Sequence, residues 1–461
     1  MLRSYPALLL IAALSFLPAL GFYYVGEEAI FPISSMEMWQ HGSWMKQYLY
    51  GTDMQHNPLF NWLIMPISAL VGWEHMLVVT RSLTIAATLG SAAVLAWLAQ
   101  RLFGQPTFAA FAALGYLTMA DVSLYHGWLS YVDPLFSLWI FAAIAVLWVA
   151  VTEQRFAGLV LSGLLLTAAF LSKALTAYVF YAGALLVLLF GAKERAFLLR
   201  WPVLAVQTLI FSAPALWFAL LPGGQAQGGR MADEIAQKLA GSGWGSYLIR
   251  LLVFPLDSLA WLAPLPLLAV YFWARKRNQP DAPEAARFFR LASWMVLLNF
   301  LPYWLSPNGG MRYLMPLYPL LALVAARLIW LSGEAALNTA RRWMIAALVL
   351  KLIAVLALFP YYQSHYRGKN YDEAAQDILR LTQGYPLYVT DVSAGGLNVA
   401  AYIDQRVYPA QALQWPPAQW QSGYVIAHTA DPALGQVYHS YRLGGDDLFL
   451  LCRGAACQAV R

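Results

Sequence analysis

The sequence predicts a polytopic α-helical membrane protein: about eleven transmembrane helices, then a small C-terminal soluble α/β domain. Three observations carry that reading. The 461 residues are 60% hydrophobic and only 11% charged, with a mean hydropathy of +0.55, whereas a soluble domain carries about a quarter charged residues. The apolar residues gather in repeated runs near the roughly 20 residues needed to cross a bilayer. The 19 Trp and 26 Tyr fit aromatic belts at both membrane surfaces.

Arg3 and the apolar run 8–24 have the layout of a secretory signal, but no small-x-small cleavage site follows and the apolar runs continue. The run therefore reads as a retained first helix with a cytoplasmic N-terminus. Residues 26–76 form a first outer loop, in which 58–72 is apolar, short and broken by proline, suited to lying at the interface. The second span, 77–99, ends at Arg101, and the third, 107–122, returns to an outer loop 123–133 that closes on Asp133-Pro134. The fourth ends near Glu153 and Arg155, the fifth emerges at Ser172-Lys173, and the sixth ends at Lys193-Glu194-Arg195. The seventh, 201–221, opens into the Gly-rich outer loop 222–250. The eighth ends at Arg275-Lys276-Arg277, and Arg287 and Arg290 close the same loop, the strongest cytoplasmic marker in the chain.

The ninth span emerges at the outer loop 306–313, the tenth returns to Arg341-Arg342, and the eleventh ends near Phe359. Lys351 falls inside the eleventh, either snorkelling to the surface or meeting a lipid phosphate. The net charge of +6 thus follows the positive-inside rule. It lacks the clustering of a nucleic-acid face, so no nucleic-acid partner is expected.

An odd number of spans from a cytoplasmic N-terminus places 361–461 outside. There Pro386-Leu-Tyr-Val-Thr, Tyr424-Val-Ile-Ala and Leu448-Phe-Leu-Leu read as short buried strands with helices and turns between them. Both cysteines, Cys452 and Cys457, lie in this segment. They fit a disulfide in an oxidising compartment, and equally two buried thiols.

The charges that are not cytoplasmic markers collect on the outer side: Glu27, Glu28, His56, Asp133, Lys173, Arg230, Asp233, Glu234 and Arg312. Ionisable groups at membrane depth are costly, so their convergence on one face marks a site. Carboxylates with cations suit the transfer of a group from a phosphate leaving group. A carboxylate takes the proton of an attacking hydroxyl while cations stabilise the departing phosphate. Ordinary readings stand beside this one. Glu27 marks a helix end, Asp133 before Pro134 suits a helix N-cap, Lys173 anchors at the interface, and Arg312 is a loop charge.

The order Glu27-Glu28, Met36-Glu37-Met38, Gly42-Ser-Trp44 and His56-Asn-Pro58-Leu59-Phe-Asn-Trp62 resembles the N-terminal signature of the GT-C class polyprenyl-phosphate-sugar glycosyltransferases. These include the lipid A aminoarabinose transferases and the protein O-mannosyltransferases, whose motifs run Asp-Glu-x-Arg, Arg-Glu-Met, Gly-x-Trp and Glu-Lys-Pro-Pro-Leu-x-x-Trp. Asp133-Pro134, Ala169-Phe-Leu-Ser-Lys173 and Arg312-Tyr313-Leu-Met-Pro316-Leu-Tyr-Pro319 follow in the family's order. The likeness covers about the first 330 residues. This chain departs from it in carrying Glu27 for the aspartate, Ile30 for the arginine, and Gln55-His56-Asn57 for Glu-Lys-Pro.

The resemblance implies a transmembrane GT-C catalytic domain over 1–360 and a periplasmic α/β domain over 361–461, in a multi-pass protein of the bacterial inner membrane. It implies a polyprenyl (undecaprenyl) phosphate-linked sugar as donor, among the membrane lipids, and an envelope lipid, glycan or protein as acceptor. Glu27 would be the catalytic or acceptor-orienting carboxylate and Asp133 the second carboxylate. Glu28, His56, Lys173, Arg230, Arg312 and Tyr313 would bind substrate, the cations facing the lipid-linked phosphate. Glu27, His56 and Asp133 could ligate a divalent ion but lack dense ligand spacing, so a divalent metal is possible and no obligatory cofactor is expected. Two rivals are a flippase or transporter of lipid-linked sugars and an oligosaccharide ligase using a diphosphate donor.

Overall fold

The computed structural model describes residues 5–54, 56–221, 228–230, 233, 244–275, 279–366 and 369–458. Arg3, Gln55, Glu234, Lys276 and Arg277 lie outside the described residues. The chain divides into two compact units: Met1–Leu17, Thr84–Trp128 and Val132–Leu352 in one, Pro18–Leu83, Leu129–Tyr131 and Ile353–Arg461 in the other.

Each of the eleven apolar runs is helical, but not all reach across a bilayer. Among the described residues six helices are long and apolar enough: Trp73–Phe103, Asp133–Thr152, Trp201–Leu220, Pro283–Leu305, Met311–Leu331 and Glu334–Leu381. A seventh arises if Tyr247–Trp261 and Leu265–Ala274, bent by 111° at their junction, count as one. The remaining four runs are the shorter helices Tyr5–Gly21, Pro106–Leu117, Phe156–Ser172 and Thr176–Leu189. Hydropathy counts apolar residues and does not see where a helix breaks. The run 107–122, for example, stops at Thr118, whose hydroxyl bonds back to the Leu114 carbonyl, and a separate short helix, Ala120–Leu124, follows. The Leu59–Val71 helix, 13 residues with Pro66 inside it, is likewise too short to span.

In the first unit, Asp133–Thr152 is the most buried of the long helices, with 78% of its apolar window covered against 22% for Trp201–Leu220. Small residues allow that. A Cβ on Gly158 would sit 2.6 Å from the Cβ of Ala150, so glycine is what lets the Phe156–Ser172 helix approach so closely.

Polar contacts in this unit segregate by helix end. Helix ends expected on the cytoplasmic side bond to one another, Arg101 to Glu153 at 2.9 Å and Arg287 to Glu194, and Arg327, expected inside the tenth span, bonds to Asp281 at 2.9 Å. Loops expected outside do the same: Lys173 pairs with Asp133, and Arg250 reaches the Ser306 carbonyl at 2.9 Å. The alternation of ends read from the charges is therefore internally consistent.

The second unit joins residues 18–83 to the C-terminal residues. A four-stranded sheet runs β3 (Leu387–Val389), β4 (Gly423–Ala427), β6 (Asp446–Arg453), β5 (Gln436–Leu443). β3 lies parallel to β4, with Tyr388 opposite Val425, and the Ala394–Val407 helix makes the crossover. β6 runs antiparallel to β4 and β5. β4 is buried along its whole length, which explains its unbroken apolar run. β5 has no such run. It is an edge strand with mostly exposed residues, and the sequence reading passed over it. The Cys452 and Cys457 sulfurs are bonded, tying the end of β6 to the turn after it.

The helix Ile30–Gln40, the hairpin of β1 (Tyr48–Leu49) and β2 (Thr52–Asp53), and the helix Leu59–Val71 build the rest of this unit. One buried cluster holds Ile33, Met36, Tyr50 and Trp73 together with Leu397, Ala401, Ile426 and Leu450. The C-terminal sheet and the stretch expected as the first outer loop thus share a core.

Candidate active site

In the second unit the adjacent acids part company. Glu28 is fully buried, and each carboxylate oxygen accepts two hydrogen bonds. Oε1 takes the Arg81 Nε–H at 2.9 Å and the Ser130 N–H at 2.6 Å, and Oε2 takes Arg81 Nη2 and the Val25 N–H at 2.7 Å. That saturates a carboxylate. Arg81 is equally occupied, its remaining N–H groups going to the carbonyls of Ala19, Phe22 and Tyr23 at 2.6–2.8 Å. Glu28 therefore holds the loop and is filled by the protein itself, rather than presented to a substrate.

Glu27 is the opposite case. Its side chain is exposed, and its carboxylate makes no hydrogen bond or ion pair among the described residues. Its backbone is held firmly. The Glu27 N–H donates to the Tyr131 hydroxyl at 3.3 Å. Gly26 beside it adopts φ +59°, and a Cβ there would meet that hydroxyl at 2.7 Å, so another residue would be strained and would displace the Tyr131 hydroxyl. From behind, the buried Asn398 amide donates to the Gly26 carbonyl at 3.0 Å, and Gln405 donates to the Tyr24 hydroxyl at 3.1 Å. The Ala394–Val407 helix thus supports the turn that displays Glu27.

Glu37 of the Met36-Glu37-Met38 motif is buried and accepts the N–H groups of Tyr50 and Gly51 at 2.6 and 2.7 Å, fixing the hairpin turn. Burial pushes its carboxyl up to about 7, although those two hydrogen bonds work against the shift. Asp404, wholly buried on the Ala394–Val407 helix, is also pushed well up by burial. The Leu413 N–H opposes that shift and the charge of Glu37 adds to it. His56 is partly buried in the irregular approach to the Leu59–Val71 helix.

In the first unit four of the expected residues meet. Asp133 opens its helix and pairs with Lys173, which ends the Phe156–Ser172 helix. An acid at a helix N-terminus and a cation at a C-terminus are each favoured by the backbone dipoles. The N-cap role considered for Asp133 gives way to this ion pair. The Lys173 ammonium lies 5.2 Å from the centre of the Tyr313 ring, and the Arg312 guanidinium lies 5.3 Å from the same ring. Two cations therefore flank one tyrosine, beside a carboxylate that is 7% exposed. Arg230 belongs to the described stretch 228–230 and is partly buried, and Asp233 is exposed.

Several residues of these sites escaped the sequence reading. Arg81 carried a signal, a lone arginine four residues into an apolar run. Arg250, which donates to the carbonyls of Tyr303 and Ser306, props the loop ahead of Arg312, but it read only as a loop end. Asn398 and Tyr131 carried no local signal. Among the described residues no three His, Cys, Asp or Glu side chains are grouped to hold a metal ion.

The family model of the dolichyl-phosphate-mannose-protein mannosyltransferases matches residues 55–218. The undecaprenyl phosphate-alpha-4-amino-4-deoxy-L-arabinose arabinosyl transferase of Pectobacterium atrosepticum is 28% identical over 352 residues, 72% of this chain and 60% of that protein. A second such transferase, from Pseudomonas fluorescens, is 25% identical over 321 residues, 66% of this chain and 52% of its own length. The matches therefore span little more than half of these relatives. Among solved structures, ArnT from Cupriavidus metallidurans bound to undecaprenyl phosphate superposes with a TM-score of 0.69 at 16% identity, covering 99% of this chain and 98% of that one. The oligosaccharyltransferase of Archaeoglobus fulgidus follows with a TM-score of 0.54 at 12% identity, covering 86% and 61%. With its motifs in the family's order, a matching family model and the same fold, the chain resembles the GT-C glycosyltransferases, and among them the aminoarabinose transferases.

Proposed function

We propose that this protein transfers a sugar from a polyprenyl phosphate donor, undecaprenyl phosphate in a bacterial envelope, to a hydroxyl or phosphate group of an envelope acceptor, with inversion at the anomeric carbon. The observation that carries the reading is the cluster of Lys173, Tyr313 and Arg312 around Asp133 at the outer helix ends. Such an arrangement suits a phosphate: Lys173 has three N–H donors and spends one on Asp133, and the Arg312 guanidinium adds a second positive charge.

The acceptor oxygen attacks the anomeric carbon as the bond from that carbon to the phosphate oxygen breaks. The electron pair leaves with the polyprenyl phosphate, where Lys173 and Arg312 neutralise it. The proton of an acceptor hydroxyl passes to Glu27, an exposed carboxylate with no partner among the described residues. Asp133 holds Lys173 in place and keeps the pocket's charge balanced. His56 and Arg230 contact donor or acceptor. The family's aspartate is one methylene shorter than Glu27, so the acceptor sits correspondingly further from the backbone here.

The protein lies in the inner membrane with its N-terminus in the cytoplasm and its C-terminal residues in the periplasm. The bonded Cys452 and Cys457 support that orientation, since disulfides persist in oxidising compartments. The reaction needs no resident metal, because a phosphomonoester leaving group is balanced by the two cations.

Purified protein given a labelled undecaprenyl-phosphate sugar and an envelope lipid fraction should release undecaprenyl phosphate. Glu27→Gln should lower turnover by about 10²–10⁴-fold, the usual worth of a general base. Release that is unchanged in both Glu27→Gln and Asp133→Asn would remove the site assignment. Movement of the labelled lipid across a vesicle bilayer without release would favour a flippase.

A further inference from the structure

The first unit also holds a cleft of about 160 Å³ in which three long helices meet. Arg101 lies in the last turn of Trp73–Phe103, Thr152 and the capping residue Glu153 end Asp133–Thr152, and Glu284 and Phe288 belong to the first turns of Pro283–Leu305. Asp133 opens the same 20-residue helix that Thr152 closes, so about 30 Å of helix separates the cleft from the candidate phosphate site. All three ends are ones that the charges place on the cytoplasmic side, at the depth of lipid headgroups.

Part of the charge here is already spent. The Glu153 carboxylate accepts Arg101 Nε at 2.9 Å, Arg101 Nη2 at 3.2 Å and Arg155 Nε at 3.0 Å. That grip orients the Arg101 guanidinium and leaves its Nη1 donors unspent among the described residues. Glu284 is exposed, and its carboxylate makes no hydrogen bond or ion pair among the described residues. The Thr152 hydroxyl is the odd group. In Thr80, Thr118, Thr167 and Thr208 the hydroxyl donates to the carbonyl four residues back, a common arrangement for a helical threonine. Thr152 does not follow them: its oxygen is buried without a hydrogen-bond partner. A buried hydroxyl in that state is costly, and this residue lines the cleft.

Size and charge narrow the ligand. Pockets that enclose a small molecule whole run to about 300–1,000 Å³, so this cleft suits a headgroup whose tails stay in the bilayer. Lipid has access to it, since only 28% of the apolar window of Pro283–Leu305 is covered, and Leu102, Val149 and Phe288 supply an apolar wall. A purely anionic headgroup would face the Glu284 carboxylate, and a bare cation would face Arg101. A headgroup of both signs satisfies both: its phosphate accepts from Arg101 Nη1 and Thr152, and its ammonium donates to Glu284. A quaternary ammonium has no N–H to donate and is held by a cage of aromatic rings, whereas Phe288 is the one aromatic side chain among the described residues that line the cleft. The fitting amine is therefore primary.

We propose that this cleft binds the headgroup of an aminophospholipid, of the phosphatidylethanolamine kind, taken from the leaflet that meets these helix ends. The phosphate gives the Thr152 hydroxyl its missing acceptor, the ammonium pairs with Glu284, and one lipid ties the three helix ends together. The site is separate from the transfer chemistry and does not depend on it.

The test is native mass spectrometry of the full-length protein, stripped of lipid in detergent and titrated with phosphatidylethanolamine, phosphatidylglycerol and phosphatidylcholine of matched acyl chains. Phosphatidylethanolamine should bind about tenfold more tightly than the other two, the worth of one charge-assisted hydrogen bond. Glu284→Gln should abolish that preference. Thr152→Val, which keeps the side chain's shape, should weaken phosphatidylethanolamine binding by about fivefold. Melting temperatures in detergent check that both variants fold, and where one does not the other carries the test. Free phosphoethanolamine at the lipid's concentration should not compete. Equal binding of the three lipids to wild type would overturn the proposal. So would a preference that survives Glu284→Gln, an affinity unchanged in Thr152→Val, or full competition by the free headgroup.

Discussion

Glu27 and Glu28 are neighbours in the chain, yet one is offered to solvent and the other is consumed by the fold. Replacing Arg81 with Ala leaves the Glu28 carboxylate buried without its cation, a loss of about 3–5 kcal/mol. The variant should show a much lower melting temperature in detergent, or fail to accumulate. Glu27→Gln changes an exposed group, and such changes usually alter stability by less than about 0.5 kcal/mol. Its melting temperature should match wild type while its turnover is lost. Equal destabilisation in the two variants would show that Glu27 is structural. Sequence reasoning could single out the pair but could not tell the two acids apart, because the difference is made by Arg81, 53 residues away, and by the Ser130 N–H. The likeness to a family motif was no guide either, since the arginine of that motif is Ile30 here and the buried partner arrives from another helix.

At the level of the element, the Ala394–Val407 helix shows what a distant segment does for a local motif. Asn398 meets Gly26 across 372 residues of chain. Asn398→Ala should cost about 1–3 kcal/mol, since it leaves a carbonyl unsatisfied. It should also lower kcat, because displacing a reacting group by about 1 Å can cost 10²-fold. Asn398→Asp keeps the shape but offers no N–H donor, so it should behave like the alanine variant. Wild-type kcat in both would show that the helix does not position Glu27. Helices and three of the four strands of the C-terminal sheet could be read from apolar runs and turn signals. The helix breaks could not, because Thr118 interrupts a run that stays hydrophobic on both sides. Nor could β5, whose edge position leaves most of its residues exposed and which carries no unbroken apolar run. The cations could be located in order along the chain. Their meeting at Tyr313 depends on how the helix ends pack, and spacing does not encode that.

For the molecule as a whole, a metal requirement and the pH response are the testable consequences. Chelator-treated protein should retain full transferase activity, and activity lost to EDTA and restored by a divalent ion would refute the metal-free reading. Stability should depend on pH through the second unit. Glu37 has its carboxyl raised from 4.5 to about 7, so between those values the folded state holds a proton that the unfolded chain has released. Stability therefore falls as pH rises through that window, and is lower above it by about 3 kcal/mol for a shift of that size. Asp404 is shifted in the same direction by the same burial, and ionising either acid makes ionising the other harder. The melting temperature of the full-length protein in detergent should therefore decline from about pH 5 to pH 8. Glu37→Gln cannot ionise and offers one acceptor to the two N–H groups of Tyr50 and Gly51. It should melt lower than wild type at pH 5 and change less with pH. A melting temperature that rises with pH over this range would mean that Glu37 is ionised in the folded protein, and that its two hydrogen bonds outweigh its burial.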